Sequence, residues 1–164
     1  MAGRTMARWC LAGIMVVWGV GREIRCSEAA PPAPTKIEAE AEWSGFHSRQ
    51  AERAEWVITT PEQWAEVWKT THPNDPPSAV PEVDFSSSFV IGVAFGEQPT
   101  GGYGVHIAGV FELQHHLLVA VEPTAPAQKG STAPTQPYHL VQVPRSPWPV
   151  LFNWPPPILA PDHD

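Results

Sequence analysis

The stretch DFSSSFVIGVAFGEQPTGGYGVHI, residues 84–107, decides the fold of this chain. Its first half is an unbroken run of β-branched, aromatic and small apolar residues, which predicts a strand at 89–96 that is buried on both faces. The TGGY motif at 100–103 follows, and its paired glycines accept the positive φ that a tight turn requires. Apolar residues then occur at every second position, which predicts a second strand at 103–111. The stretch therefore predicts two apolar strands joined by a glycine-rich turn.

The remaining patterns complete a mainly β domain with an antiparallel sheet or sandwich, although an α+β arrangement is also possible. Further strands are predicted at 43–46, 53–59, 116–122, 138–144 and 149–154. The last of these carries prolines, which favours a position at a sheet edge. We expect the strands at 89–96, 103–111, 116–122 and 138–144 to form the centre of the domain.

One helix is well indicated, from Thr60 to Thr71. Thr60 is a suitable N-cap, and a proline and a glutamine follow at the positions that favour a first helical turn and a capping box. Trp64, Val67 and Trp68 are spaced to share one face of the helix. We expect this face to pack on the sheet, in preference to serving as a docking surface.

Composition limits the classes of function. The chain has 164 residues, 20 prolines and a formal net charge of −7, and its acidic residues lie almost entirely after residue 26. One domain with flexible ends is expected for this length. An acidic body repels phosphate, so nucleic-acid binding is not expected. The two cysteines, Cys10 and Cys26, precede the domain, so the sequence predicts neither a disulfide framework nor a thiolate metal cluster.

The ends of the chain predict an extracytoplasmic location. Residues 1–30 combine a basic start with a 13-residue apolar run, which is typical of a signal peptide or of an uncleaved membrane anchor. Residues 31–42 are rich in Ala, Pro and Glu and predict a tether, and residues 155–164 predict a proline-rich tail. The arginines before the apolar run place the domain, residues 43–154, on the outer side of the membrane.

The same residues carry a resemblance to a known family. The block from Asp84 to Ile107 with its TGGY motif, the later PYHLVQVPRSPWPVLF and the segment from Glu55 to Trp68 resemble the PrcB C-terminal domain family over roughly residues 43–154. PrcB is an accessory subunit of a bacterial surface protease complex. The resemblance implies a β domain in an extracytoplasmic setting, and it brings no set of catalytic residues with it.

The residue pattern offers few candidates for catalysis or for metal binding. His115 and His116 are adjacent and would point to opposite faces of a strand, whereas His106 and His139 lie on separate strands, and the sequence leaves open whether these strands converge. No serine stands in the strand–turn–helix context of a nucleophile elbow. We therefore expect no enzyme activity, no metal and no cofactor. Asp84 is expected to form a turn in which its side chain binds nearby backbone amides.

The residues predicted to bind a partner lie in two loops. They are Thr100, Gly101, Gly102 and Tyr103 of the TGGY motif, and Lys129, Gly130 and Ser131 of the long loop 123–137. Two glycines bare the backbone to an approaching chain, and tyrosine is a rigid amphipathic contact. The alternative is that the glycines serve the turn alone and that Tyr103 belongs to the core.

These patterns favour a non-catalytic accessory subunit at the periplasmic face of a bacterial membrane. Such a subunit would bind and stabilise a larger assembly, either a protease complex, as the resemblance implies, or an integral-membrane respiratory or photosynthetic complex. Its partners would be protein subunits, with the membrane added if residues 1–30 are retained. The alternative is a secreted protease inhibitor or a small-ligand-binding module.

Overall fold

The computed structural model describes residues 33–126 and 132–156. Along these residues the secondary-structure elements are β1 (Thr35–Ile37), β2 (Ala41–Gly45), β3 (Ala54–Ile58), α1 (Pro61–Thr71), β4 (Ser88–Ala94), β5 (Gly104–Leu113), β6 (His116–Thr124), β7 (Tyr138–Pro144) and β8 (Val150–Asn153). A short 3₁₀ turn, Pro77–Ala79, lies between α1 and β4. The prediction of a mainly β domain with one amphipathic helix is confirmed.

The strands form two four-stranded sheets that pack face to face. One sheet has the order β1-β5-β6-β8 and the other has the order β2-β7-β4-β3. Neighbouring strands are antiparallel, except for the edge strand β8, which runs parallel to β6. The core between the sheets contains Phe89, Ile91, Val93, Val105, Ile107, Val110, Leu117, Val119, Val121, Val141 and Val143. The architecture is a β-sandwich, one of the two arrangements that the sequence predicts.

Strand β4 is buried on both faces, as its unbroken apolar run predicts. Alternate side chains of a strand point to opposite faces of the sheet. Phe89, Ile91 and Val93 accordingly face the opposite sheet, whereas Val90 and Ala94 pack in a second cluster with α1. The helix thus forms a third layer on the outer face of this sheet.

Helix α1 begins where its capping residues predict. The Thr60 side chain accepts a hydrogen bond from the Gln63 N–H at 3.4 Å. The Gln63 side chain accepts in turn from the Thr59 N–H at 3.0 Å, one residue before the usual partner in a capping box. Trp64 and Trp68 on the apolar face are buried against the sheet. The prediction that this face packs in the core is confirmed.

The glycine-rich turn joins strands of different sheets. Strand β4 pairs with β3 and β7, whereas β5 pairs with β1 and β6. Residues 95–103 therefore cross from one sheet to the other, although consecutive strands are more often neighbours. Both strands fit their predicted patterns, but periodicity within a strand does not state which other strand it pairs with.

Part of the predicted tether at 31–42 is paired in the sheets. Strand β1 lies opposite Val110–Glu112 of β5, and β2 starts at Ala41. Backbone hydrogen bonds do not require an apolar side chain, so a segment without an apolar face can form an edge strand. Ile37 of β1 packs against the core between the sheets.

The Asp84 turn forms as predicted. One carboxylate oxygen accepts from the Ser86 N–H at 2.9 Å, and the other accepts from the Ser87 hydroxyl at 2.8 Å. Hydrogen bonds from Ser86 and Ser87 hold the pKa of Asp84 below its usual value. The local side-chain bonding that a sequence such as DFSS favours is therefore present.

The predictions for residues 1–30 and for most of the tail at 155–164 lie outside the described residues. Within the part of the chain that the structure describes, no helix is long and apolar enough to cross a membrane.

Candidate functional site

A groove opens at one end of the sandwich, where β2 and β6 end and where β5 and β7 begin. Its volume is about 600 Å³, within the range of ligand and peptide sites. We call it the end groove. Its lining residues are Ser44–His47, Gly102–His106, Thr124, Ala133, Thr135 and Pro137–His139.

The first rim of the end groove is the TGGY turn. Gly102 has a φ of +92°, and a Cβ added there would lie 2.7 Å from the Cβ of Pro126, so glycine is required on both grounds. Tyr103 is half-buried, with its ring centroid 6.4 Å from that of Phe95. The turn thus exposes its backbone to the groove. Beside it lies Tyr103, whose ring contacts that of Phe95.

The structure brings part of the predicted partner-binding set to this groove. Gly102 and Tyr103 line it, and Thr100 and Gly101 complete the turn beside them. Lys129–Ser131 lie outside the described residues. A role for any of these residues in binding a partner stays a prediction.

The opposite rim is the segment that follows β2. Phe46 has 54% of its surface exposed, the largest exposed fraction among the large apolar side chains that the structure describes. Next to it, Gly45 lies against Tyr138, where a Cβ would come within 2.8 Å of the ring. The missing side chain at Gly45 lets the tyrosine ring form the adjoining wall. An exposed aromatic residue beside a concave wall is typical of a protein-binding surface.

One short segment ties both rims together. The backbones of Thr135 and Gln98 exchange hydrogen bonds of 2.7 and 3.0 Å, and the Thr135 hydroxyl donates to the carbonyl oxygen of Thr100 at 3.1 Å. The next residue, Gln136, donates its N–H to the carbonyl oxygen of Phe46 at 2.7 Å. The end of the predicted 123–137 loop therefore fixes the spacing of the two rims.

The base of the end groove contains a buried histidine that links the two sheets. His139 of β7 is 3% exposed, and its Nδ1 accepts a hydrogen bond from the Ile107 N–H of β5 at 2.9 Å. Because Nδ1 accepts, the ring proton of neutral His139 lies on Nε2. That nitrogen lies 3.8 Å from a carboxylate oxygen of Glu42.

The surroundings of His139 favour its neutral form. Burial, and after it the charge of His106, whose ring centroid is 4.6 Å away, lower the pKa of His139 to about 4. The Glu42 carboxylate acts in the opposite direction but does not outweigh burial. His139 is therefore a neutral hydrogen-bond acceptor at pH 7.

The Tyr138 wall is braced by the end of helix α1. The Tyr138 hydroxyl and His72 Nε2 lie 3.0 Å apart, and the Thr71 hydroxyl lies 2.9 Å from the other ring nitrogen of His72. The His72 ring stacks on Trp68 with centroids 3.6 Å apart. Burial raises the pKa of Tyr138 and lowers that of His72. Both groups are therefore neutral at pH 7, and they hold the wall in place.

The arrangement is suited to binding more than to bond-making chemistry. His106 and His139 do converge, as the sequence left possible. Within the described ranges, no three His, Cys, Asp or Glu side chains are grouped so that they could hold a metal ion. The groove offers aromatic surface, bare glycine backbone and a neutral histidine, which are features that hold a ligand or a chain segment in place.

Several residues of the site were not predicted from the sequence. The sequence places Phe46 at the end of a strand and His139 on a strand separate from that of His106. Neither the exposure of Phe46 nor the bond from His139 to Ile107 has a local sequence signal, because each depends on which strands the fold brings together. The motif of two glycines and a tyrosine is the sequence signal that does indicate this end of the molecule.

The central part of the chain matches a known family. Residues 89–144, from β4 to β7, match the family model described as PrcB C-terminal. The resemblance inferred from the TGGY block is therefore confirmed over these strands, a shorter range than the 43–154 expected. Neither the curated proteins nor the solved structures include a significant match to this chain.

Proposed function

We propose that this chain, whose residues 89–144 are assigned to the PrcB C-terminal domain family, is a non-catalytic accessory subunit that binds a larger protein assembly through the end groove. The observation that carries the proposal is the position of the groove on the matched strands. Its Gly102–His106 side and its Pro137–His139 side both lie within the matched residues.

The surfaces of the end groove support protein binding. Phe46 and Tyr103 supply aromatic area on opposite rims, and aromatic residues are enriched where protein interfaces are strongest. Thr135 and Gln136 hold the rims at a fixed spacing, so that a partner would meet a largely preformed site. A preformed site reduces the ordering cost of association.

The ionisation of the groove residues supports a non-catalytic role. His139, the most deeply placed titratable group, has a pKa of about 4, far from the value suited to a general base at neutral pH. Burial raises the pKa of Tyr138, which disfavours the phenolate that nucleophilic chemistry would need.

The sequence supports a location at the periplasmic face of a bacterial membrane. Residues 1–30 have the basic start and the apolar run of a signal peptide or anchor, and the acidic body suits an extracytoplasmic space. The host assembly would be a protease complex or an integral-membrane respiratory or photosynthetic complex. We favour the protease complex because of the family match.

The experiment is capture from native membranes. The full chain carries a C-terminal tag, membranes are extracted in a mild detergent, and captured proteins are identified and quantified by mass spectrometry. Stoichiometric recovery of the subunits of one complex is expected. Peptides from residues 1–30 in the same sample would decide between a retained anchor and a cleaved signal. Recovery of the chain alone, from membranes and from the soluble fraction, would contradict the accessory role.

The groove volume favours a second candidate, a secreted small-ligand-binding module. A volume of about 600 Å³ is sufficient for a drug-sized molecule. A co-purifying small molecule seen by native mass spectrometry, in a chain recovered without protein partners, would select this alternative. Inhibition of a co-secreted protease by the purified chain would select the related inhibitor function.

A further inference from the structure

The end groove lies against an unpaired length of strand edge. Strand β5 pairs with β6 from Gly104 to Leu113, but β1 covers its other edge only from Val110 to Glu112. Among the described strands, none lies beside Gly104–Ile107 on that edge. The sheet therefore ends there with the first half of β5 as its edge, next to the end groove.

The backbone of Val105 points out from this edge. The Ile107 N–H donates to His139 of the opposite sheet, so the backbone groups of Ile107 face away from β6. Backbone groups two residues apart in a strand face the same way, so the N–H and C=O of Val105 do too. The residue opposite Val105 is Pro123, whose missing N–H is tolerated where the ladder makes no hydrogen bond. Val105 thus offers a donor and an acceptor on the groove side of β5.

Val105 is only 8% exposed, because it belongs to the core between the sheets, so the docking edge consists of its backbone groups alone. Gly102 and Gly104 flank the start of β5 without side chains of their own, and Pro126 and Thr124 occupy the positions that a Cβ would take there. Gly102 remains exposed, so its backbone is open to an approaching chain. His139 already satisfies the Ile107 N–H, which leaves Val105 as the centre of a short docking edge. Exposed strand edges are templates for pairing with another chain, and natural proteins leave them open where pairing is the function.

We propose that an extended segment of the partner protein adds to β5 at Val105 as an extra strand, with its side chains in the end groove. This inference rests on the proposed function and specifies how the partner is held. Hydrogen bonds from the backbone would supply affinity, while Phe46 and Tyr103 would contact alternate side chains of the segment.

Charge specifies the chemistry of the segment. Glu42 lies 3.8 Å from His139 with 56% of its side chain exposed, and Glu122 is exposed on β6 opposite His106. Both glutamates lie beside the groove and not in its lining, which contains neither lysine nor arginine among the described residues. Lys36, which lines the neighbouring cavity with Glu42, is paired with Glu38, and the net charge of the chain is −7. The added strand should therefore carry a basic side chain that reaches Glu42, next to apolar or aromatic ones.

The test is peptide selection against the full chain. Random linear peptides of about 12 residues are displayed on phage, and the most enriched one is synthesised together with a set of analogues N-methylated at one backbone position each. We expect a basic, β-prone peptide whose affinity falls by about tenfold or more on N-methylation at alternate positions. Amide exchange at Val105 should slow by about tenfold or more when this peptide is bound.

Two variants test whether charge contributes to peptide binding. Glu42→Gln should weaken binding of the basic peptide by roughly threefold to tenfold at low salt, and less at high salt. Leu151→Ala, which removes an exposed apolar side chain from β8, is the matched control and should leave the affinity unchanged. Failure to enrich any peptide, indifference to N-methylation, or unchanged exchange at Val105 would overturn strand addition. If these peptide results are negative but membrane capture recovers a complex, strand addition fails and the accessory role stands. If peptides bind as expected but no complex is recovered, the accessory role fails and strand addition stands.

Discussion

At the scale of single residues, His139 supplies the hydrogen-bond acceptor that an open sheet edge lacks. A buried backbone N–H without an acceptor loses the hydrogen bonds it would make to water. The Nδ1 of His139 accepts from the Ile107 N–H at 2.9 Å, from a ring that is 3% exposed. A side chain of one sheet thus completes the backbone of the other, beside the part of β5 that we propose binds the partner.

Replacement of His139 tests this hydrogen bond. His139→Leu keeps apolar bulk but removes the acceptor, so the free energy of unfolding should fall by about 1–3 kcal/mol. His139→Gln retains an acceptor oxygen and should lose less. Urea denaturation of the three proteins at pH 7.5 measures the difference. Equal losses in both variants would show that shape, and not the Ile107 bond, is what His139 supplies.

The lowered pKa of His139 predicts a pH window for stability. The unfolded imidazole binds a proton near pH 6.5, whereas the folded one does so only at about 4. Between these values the unfolded state holds more protons, so stability is full above pH 6.5 and is lost as the pH falls toward 4. The loss should be roughly 1–3 kcal/mol, because the ring is buried but faces the partly exposed Glu42.

A pH series of urea denaturation curves measures this loss. His72, whose pKa is also lowered, adds a contribution of the same sign. His139→Gln should therefore flatten the dependence without abolishing it. The carboxyl of Asp84, with its lowered pKa, titrates mostly below this window. An identical pH dependence in the wild type and in His139→Gln would contradict the assigned pKa of His139.

At the scale of elements, sequence patterns predict what each segment forms better than where it lies. The capping residues and the tryptophans locate α1, and the unbroken apolar run identifies β4 as a strand buried on two faces. The patterns do not reveal that β4 and β5 belong to different sheets. They also assign β1 to a tether, because its edge position depends on β5. The end groove follows from these long-range pairings, so only its TGGY rim could be predicted.

Helix α1 should contribute strongly to stability through its apolar face. Trp68 is 6% exposed, lies edge-on to Trp64 with centroids 5.2 Å apart, and stacks on His72. Trp68→Ala should lower the free energy of unfolding by about 3–5 kcal/mol, because it leaves a cavity between the helix and the sheet. Lys69→Ala, at the next and exposed position, is the control and should change it by about 0.5 kcal/mol or less. Comparable losses in both variants would contradict the packing described for this face.

At the scale of the whole molecule, the packing of the layers leaves the end groove as the surface that we propose binds the partner. The helix covers the outer face of one sheet, and the tryptophans bury their area there instead of offering it to a partner. At the end groove, in contrast, Phe46 is exposed, glycine backbone is bare and β5 has an uncovered edge. An accessory subunit built in this way would have a stable body and, within the described residues, a short docking site at one end.

The amount of partner that groove variants recover from membranes measures the role of the end groove directly. Phe46→Ala and Val57→Ala are a matched pair, since both side chains are exposed, at 54% and 42%, but only Phe46 lines the end groove. Each is tagged, captured and quantified beside the wild type, with thermal unfolding as a check on folding. If the end groove holds the partner, Phe46→Ala should recover about tenfold less partner, while Val57→Ala should recover the wild-type amount. Equal recovery by the two variants, both folded, would contradict a docking role for the end groove.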